Sequence, residues 1–174
     1  MFVFLADSKK QDMKEFSVEK FFDPVKRPKI DDDLNEKMKN SMDIVHRMAC
    51  TLNHSLYVID YLKQSFVYVS PDKLFLCGYS VEQVLEWGYS FYTRVVPEND
   101  LRRLLEINKA GFDFYYKLPI EKRYMYSIEY DFDLVHINKK VTRVNQRLIP
   151  LIINKAGDLW LAVCVVTPLY SKAK

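Results

Sequence analysis

The spacing of apolar residues switches between the period of a helix and that of a strand along the chain. Leu34, Met38, Met42, Val45, Ala49 and Leu52 recur in steps of 4, 4, 3, 4 and 3, so residues 31–53 are predicted to form an amphipathic helix with one apolar stripe. Asp31, Asp32 and Asp33 stand at its start, where the helix dipole favours carboxylates. A near-heptad stripe can lie on the sheet of its own chain or against a second copy of itself, so these six residues are the candidate dimer contacts. Residues 1–30, in which Pro24 and Pro28 interrupt any helix, read as an arm.

Beyond Asn53 the pattern is β-branched and aromatic: Leu56–Tyr61 and Phe66–Val69 are predicted as a hairpin. Ser70 is then the expected cap of a short helix from Asp72 to Cys77, with Pro71 at its first position and Gly78 at its end. Ser80-Val81-Glu82-Gln83 forms a capping box for a second helix that closes at Gly88. Pro97 opens a longer helix that Gly111 is expected to stop. Tyr124, Tyr126, Ile128, Tyr130, Phe132 and Leu134 alternate with Met125, Ser127, Glu129, Asp131 and Asp133, which predicts a strand with one buried face. Two more strands follow, Val141–Ile153 and Leu159–Thr167, joined by a polar turn containing Gly157. Strands on either side of a helical insert predict an α+β domain with a five-stranded antiparallel sheet.

Composition narrows the function. The net charge of +3 is too small to demand nucleic acid as a partner. The charge is uneven, however, with seven Lys and Arg against one acid in residues 134–174. Cys50, Cys77 and Cys164 are odd in number and scattered, which argues for a reducing compartment and three buried thiols. The opening apolar run ends at Asp7, too short for a secretory leader, and no run is long enough to cross a bilayer. A cytoplasmic protein without membrane contact is expected.

From His54 to Tyr170 the sequence resembles a PAS domain. Phe66-Val67-Tyr68-Val69-Ser70-Pro71 is similar to that family's second strand running into its first helix. Leu76-Cys77-Gly78-Tyr79-Ser80-Val81-Glu82 is similar to its GYS-x-E helix junction, and Val96-Pro97-Glu98-Asn99-Asp100 to its HPED entry, with Val96 in place of the histidine. Ile128–Phe132, Leu148–Leu151 and Gly157–Cys164 further resemble the sensor halves of LuxR-type transcriptional regulators. The resemblance implies a sensor domain at 54–170 with a short tail at 171–174. It also implies contact with DNA only through an attached helix-turn-helix domain that these residues do not contain.

The chemistry expected is that of a receptacle without reagents. Gly78, Gly88, Gly111 and Gly157 are too far apart for a phosphate-binding loop. His46, His54 and His136 match no metal spacing, so no metal is expected. Within the resemblance, the long helix lacks the histidine that would hold haem. Cys77 also lies outside the Asn-Cys-Arg-Phe-Leu-Gln setting of flavin photoreceptors, so no cofactor is expected. The twelve tyrosines offer large apolar bodies whose hydroxyls need partners when buried. Tyr68, Tyr79, Tyr126, Tyr130, His136 and Gln146 are the candidate pocket residues. Glu129, Asp131 and Asp133, like Arg143, Asn145 and Arg147, are expected on the solvated face.

The function expected is therefore a non-catalytic sensor, homodimeric and open to a small-molecule or protein signal. Two alternatives stand beside it. One is a small enzyme with His136 as general base beside a carboxylate, and the other is a dimerisation domain with no ligand.

Overall fold

A computed structural model describes residues 16–30, 32–52 and 54–169. The beginning of the expected arm, Asp31, Asn53 and the tail from Tyr170 onward lie outside the described residues. Five strands, β1 (Ser55–Asp60), β2 (Ser65–Val69), β3 (Ile128–Val135), β4 (Val141–Ile153) and β5 (Leu159–Pro168), form one sheet in the order β2-β1-β5-β4-β3. Every neighbouring pair is antiparallel. The five-stranded α+β architecture expected from the periodicities is the one observed, with the helical insert between β2 and β3.

Helix α1 (Asp32–Leu52) covers the outer face of the sheet. Its Leu34, Val45 and Ala49 are buried against Leu56, Val58, Ile152, Trp160 and Leu161, with Met38 and Met42 packed beside them. The stripe therefore serves its own sheet, which corrects the reading of Leu34, Val45 and Ala49 as dimer contacts, while Met38 and Met42 are half-buried and Leu52 is 48% exposed. Each fully buried aliphatic side chain here contributes roughly 1.5–3 kcal/mol of transfer free energy.

The inner face carries the main core, roofed by α2 (Lys73–Leu76), α3 (Val81–Trp87), α4 (Tyr92–Val95) and α5 (Glu98–Tyr115). At α2 the cap is Asp72, whose side chain accepts from Leu74 N. Ser70 instead accepts from Leu56 N at 2.9 Å and ties the hairpin together. The capping box at Ser80 and Gln83 is formed as expected. Helix α5 runs through Gly111, where glycine does not end the helix but makes room for Ile128.

Residues 120–125 form a 3-10 turn, not the start of a strand. Pro119 opens the turn, and Arg123 folds inward to donate to the carbonyls of Leu118, Tyr116 and Gly157. Tyr124 is left 53% exposed, and β3 begins only at Ile128. Cys77 and Cys164 are buried, whereas Cys50 is exposed on α1, contrary to the expectation of three buried thiols. No helix among the described residues is long and apolar enough to cross a membrane.

Candidate functional site

The inner face of the sheet meets α4 at a chain of buried polar groups. Gln146 on β4 is fully buried and lies opposite Tyr130 on β3. Its amide nitrogen donates to the Tyr130 hydroxyl and, at 3.9 Å, to Cys164 Sγ on β5. Its carbonyl accepts from the Tyr92 hydroxyl at 3.4 Å. Tyr57 on β1 completes the chain with a hydrogen bond to Tyr92. Because Tyr92 has one proton and gives it to Gln146, Tyr57 is the donor of that bond. Four strands and one helix are thus joined around one amide.

Aromatic rings fill the space around these groups. Tyr57 stacks on Phe75 at 4.2 Å, and Tyr92 lies within 6.4 Å of Phe66, Phe75, Phe132 and Tyr89. Two open grooves lie at the surface. One is lined by Phe16, Ser17, Val18, Glu19, Ser90 and Thr93, and the other by Lys29, Ile30, Asn154, Lys155 and Ala156. The space around Gln146 and Tyr92 is occupied by the protein's own rings. Burial holds the Tyr57, Tyr92 and Tyr130 hydroxyls well above the usual phenol range and pushes the Cys164 thiol up to about 12. Every group of the chain is therefore neutral near pH 7, with no nucleophile or base among them.

The residues expected in a pocket separate into different places. Gln146 and Tyr130 sit together in the buried chain. Tyr68 faces the opposite way, under α1, where its hydroxyl meets His46 Nδ1 at 3.2 Å. The cause is a bulge: Ile59 pairs with Phe66 but Val58 pairs with Tyr68, so Phe66 and Tyr68 point to opposite faces despite equal parity. Tyr79 packs edge-on against Trp87 and Phe91 on the helical side. Tyr126 lies in the segment before β3 against Phe114 and Tyr115.

His136 stands at the β3–β4 turn, where its backbone N–H donates to Lys140 O and its Nε2 lies 3.2 Å from Thr142 Oγ1. Its partner is a hydroxyl and not a carboxylate. Partial burial, with Lys140 nearby, lowers its pKa and favours the neutral ring. The acids and bases expected on the wet face are paired across the β3–β4 ladder: Arg147 with Glu129 at 2.8 Å, Asn145 with Asp131 at 2.7 Å and Arg143 with Asp133 at 3.1 Å. Among the described residues, no three His, Cys, Asp or Glu side chains converge on a metal position.

Two buried groups lie outside the expected pocket residues. Tyr92 belongs to a short helix that the sequence pattern does not announce. Asn108 lies on α5, and its amide donates to Phe21 O at 2.8 Å, across 87 residues of sequence. The helical period places Asn108 on the apolar side of α5 with Leu101, Leu104 and Leu105, but its partner is too remote in sequence to be foreseen.

No protein-family model and no curated protein matches the chain. Solved structures do. The PAS domain of the fruit-fly ELK potassium channel superposes with a TM-score of 0.52 at 13% identity, covering 74% of this chain and 96% of that one. A PAS domain from Colwellia psychrerythraea gives 0.53 at 12% identity, covering 74% and 96%. The PAS domain of a two-component sensor histidine kinase gives 0.50 at 12% identity, covering 76% and 99%. With its sheet order, its helical insert and these likenesses, the chain has the fold of a PAS domain.

Proposed function

We propose that this chain is a non-catalytic sensor and interaction module of a signalling protein, homodimeric, and that it passes on a rearrangement of its packing. The observation that carries this reading is the neutral, closed chain Tyr57–Tyr92–Gln146–Tyr130, which links sheet and helices and offers no acid, base or nucleophile. A signal, whether a small molecule or a protein surface, acts only by favouring one of two such packings. The outlet is β5, which lies between β1 and β4 in the sheet and feels movement on both sides. In a regulator of the LuxR type, an attached helix-turn-helix domain receives it and reads DNA. The reading of His136 as a general base loses support from its Thr142 partner.

Dimerisation falls to the residues α1 leaves uncovered. Ile44, Met48 and Leu52, at 57%, 46% and 48% exposure, follow one another at every fourth residue and form a second apolar row beside the buried one. The Ile44→Glu/Met48→Glu variant should sediment as a monomer where the parent protein sediments as a dimer. A monomeric parent, or a variant of unchanged mass, would overturn the dimeric reading. Native mass spectrometry that found a retained chromophore would overturn the closed interior.

A further inference from the structure

The segment before α1 does more than lead into it. Residues Val18–Phe21 form one 3-10 turn without a side-chain cap, too short to be stable alone. It is held by what it inserts. Phe21 lies 5.6 Å from Tyr89 and 5.9 Å from Tyr92, and Phe22 lies 4.4 Å from Tyr89 and 6.0 Å from Tyr61. Both rings are buried, at 7% and 6% exposure. The segment's polar anchors include Asn108 Nδ2 to Phe21 O and Lys26 N to the Tyr116 hydroxyl, each at 2.8 Å, and Asn154 Nδ2 to Lys29 O at 3.3 Å.

One group beneath this segment is left without a partner. The Tyr61 hydroxyl is buried and has no hydrogen bond among the described residues, while the ring is wedged between Phe22 and Phe112. A buried phenol without a partner costs about 1–3 kcal/mol, and an unsatisfied buried group in a folded protein is rare enough to require an explanation.

We infer that Phe21 and Phe22 are a removable plug, and that the recess they fill is a binding site for a neutral, planar aromatic molecule bearing a carbonyl. With the plug withdrawn the recess is lined by Tyr61, Tyr89, Tyr92, Asn108 and Phe112. The ligand's ring takes the place of the phenylalanines, and its carbonyl replaces Phe21 O as acceptor for Asn108. A second polar group satisfies Tyr61. The lining is aromatic with one amide, so a charged ligand would lose its hydration without repayment. Tyr92 belongs both to this recess and to the buried polar chain, so occupancy is felt at Gln146. The inference rests on the sensor reading but not on its dimer.

The test uses 4-hydroxyacetophenone at pH 6.5, which carries both a carbonyl and a neutral phenol. Calorimetric titration of the Phe21→Ala/Phe22→Ala variant should show saturable one-to-one binding at least about tenfold tighter than to the parent protein, because the plug no longer competes. Adding Asn108→Ala should weaken that binding about tenfold. Should the double variant not fold, hydrogen exchange of the parent protein decides: the probe should accelerate exchange in residues 17–26 and leave β4 and β5 protected. Absence of saturable binding by a folded variant overturns the inference. So does binding insensitive to Asn108, or a probe that leaves residues 17–26 unchanged or more protected. Sedimentation of the Ile44 and Met48 variant is unaffected by any of these results, so the two readings fail separately.

Discussion

Asp100, in the first turn of α5, accepts a hydrogen bond from the backbone N–H of Asp133 at 2.7 Å. Strand β3 is an edge of the sheet, and an unpaired edge amide is a template for pairing with another chain. Arg103, one turn further along α5, donates to the carbonyl of Asp131, while Arg143 bridges Asp100 and Asp133. Helix side chains thus stand where a sixth strand would. Asp100→Ala should cost about 1–2 kcal/mol in urea unfolding. It should also raise the concentration-dependent association seen by sedimentation, whereas Asp100→Asn, which keeps an acceptor, should do much less.

Replacing Gln146 tests the buried chain. Gln146→Ala removes the acceptor of Tyr92 and the donor to Tyr130 and leaves a void in a fully buried position. The expected loss is about 3 kcal/mol, from unpaired hydroxyls and cavity together. Gln146→Leu fills the volume, so it should be closer to the parent in chemical denaturation.

Gly111 sits inside α5, where alanine would ordinarily gain about 1 kcal/mol of helix propensity. Here a Cβ would stand 2.6 Å from Ile128 Cδ1 and 2.8 Å from its Cγ1. Overpacking of this kind costs about 1–3 kcal/mol, so Gly111→Ala should lower stability. Adding Ile128→Val removes the Cδ1 contact but keeps Cγ1, so a double-mutant cycle should recover only part of the loss.

The tyrosine core sets an alkaline limit. Burial raises Tyr57, Tyr61, Tyr89, Tyr92 and Tyr130 above the ordinary 10.0, and Cys164 from 9.0 to about 12. The folded chain keeps these protons while the unfolded chain releases them. Their contribution is therefore complete below pH 9 and is lost as pH rises beyond 9 for the thiol and 10 for the phenols. Each group subtracts about 1.4 kcal/mol per pH unit once its unfolded form ionises. Urea midpoints should be level from pH 7 to 8.5 and fall steeply between pH 9.5 and 11.

Much of this was legible where local and global preferences agree. The capping box at Ser80, the alternation of Ile128–Leu134 and the long strand β4 each announce themselves, because burial on one face writes its period into the sequence. The failures share a different origin. Alternation at Tyr124 and Tyr126 continues that of β3 in sequence but is broken in space by the turn from Pro119 and the inward Arg123. A bulge at Val58/Ile59 reverses Tyr68 without changing its parity. Gly111 reads as a stop because the space it leaves belongs to a residue seventeen positions on. The buried polar chain had only Gln146 and Tyr130 to signal it, since Tyr92 reaches them through tertiary packing alone.

The chain's two tryptophans stand on opposite sides of the sheet. Trp160 lies beneath α1 with its indole N–H on Asp60 at 3.1 Å, and Trp87 lies on α3 under Arg94, 4.1 Å from its ring centre. Each layer therefore owns a separate intrinsic fluorophore. In a Trp87→Phe protein the emission maximum reads α1 docking alone, so detachment of that helix and loosening of the helical roof become two optical events instead of one.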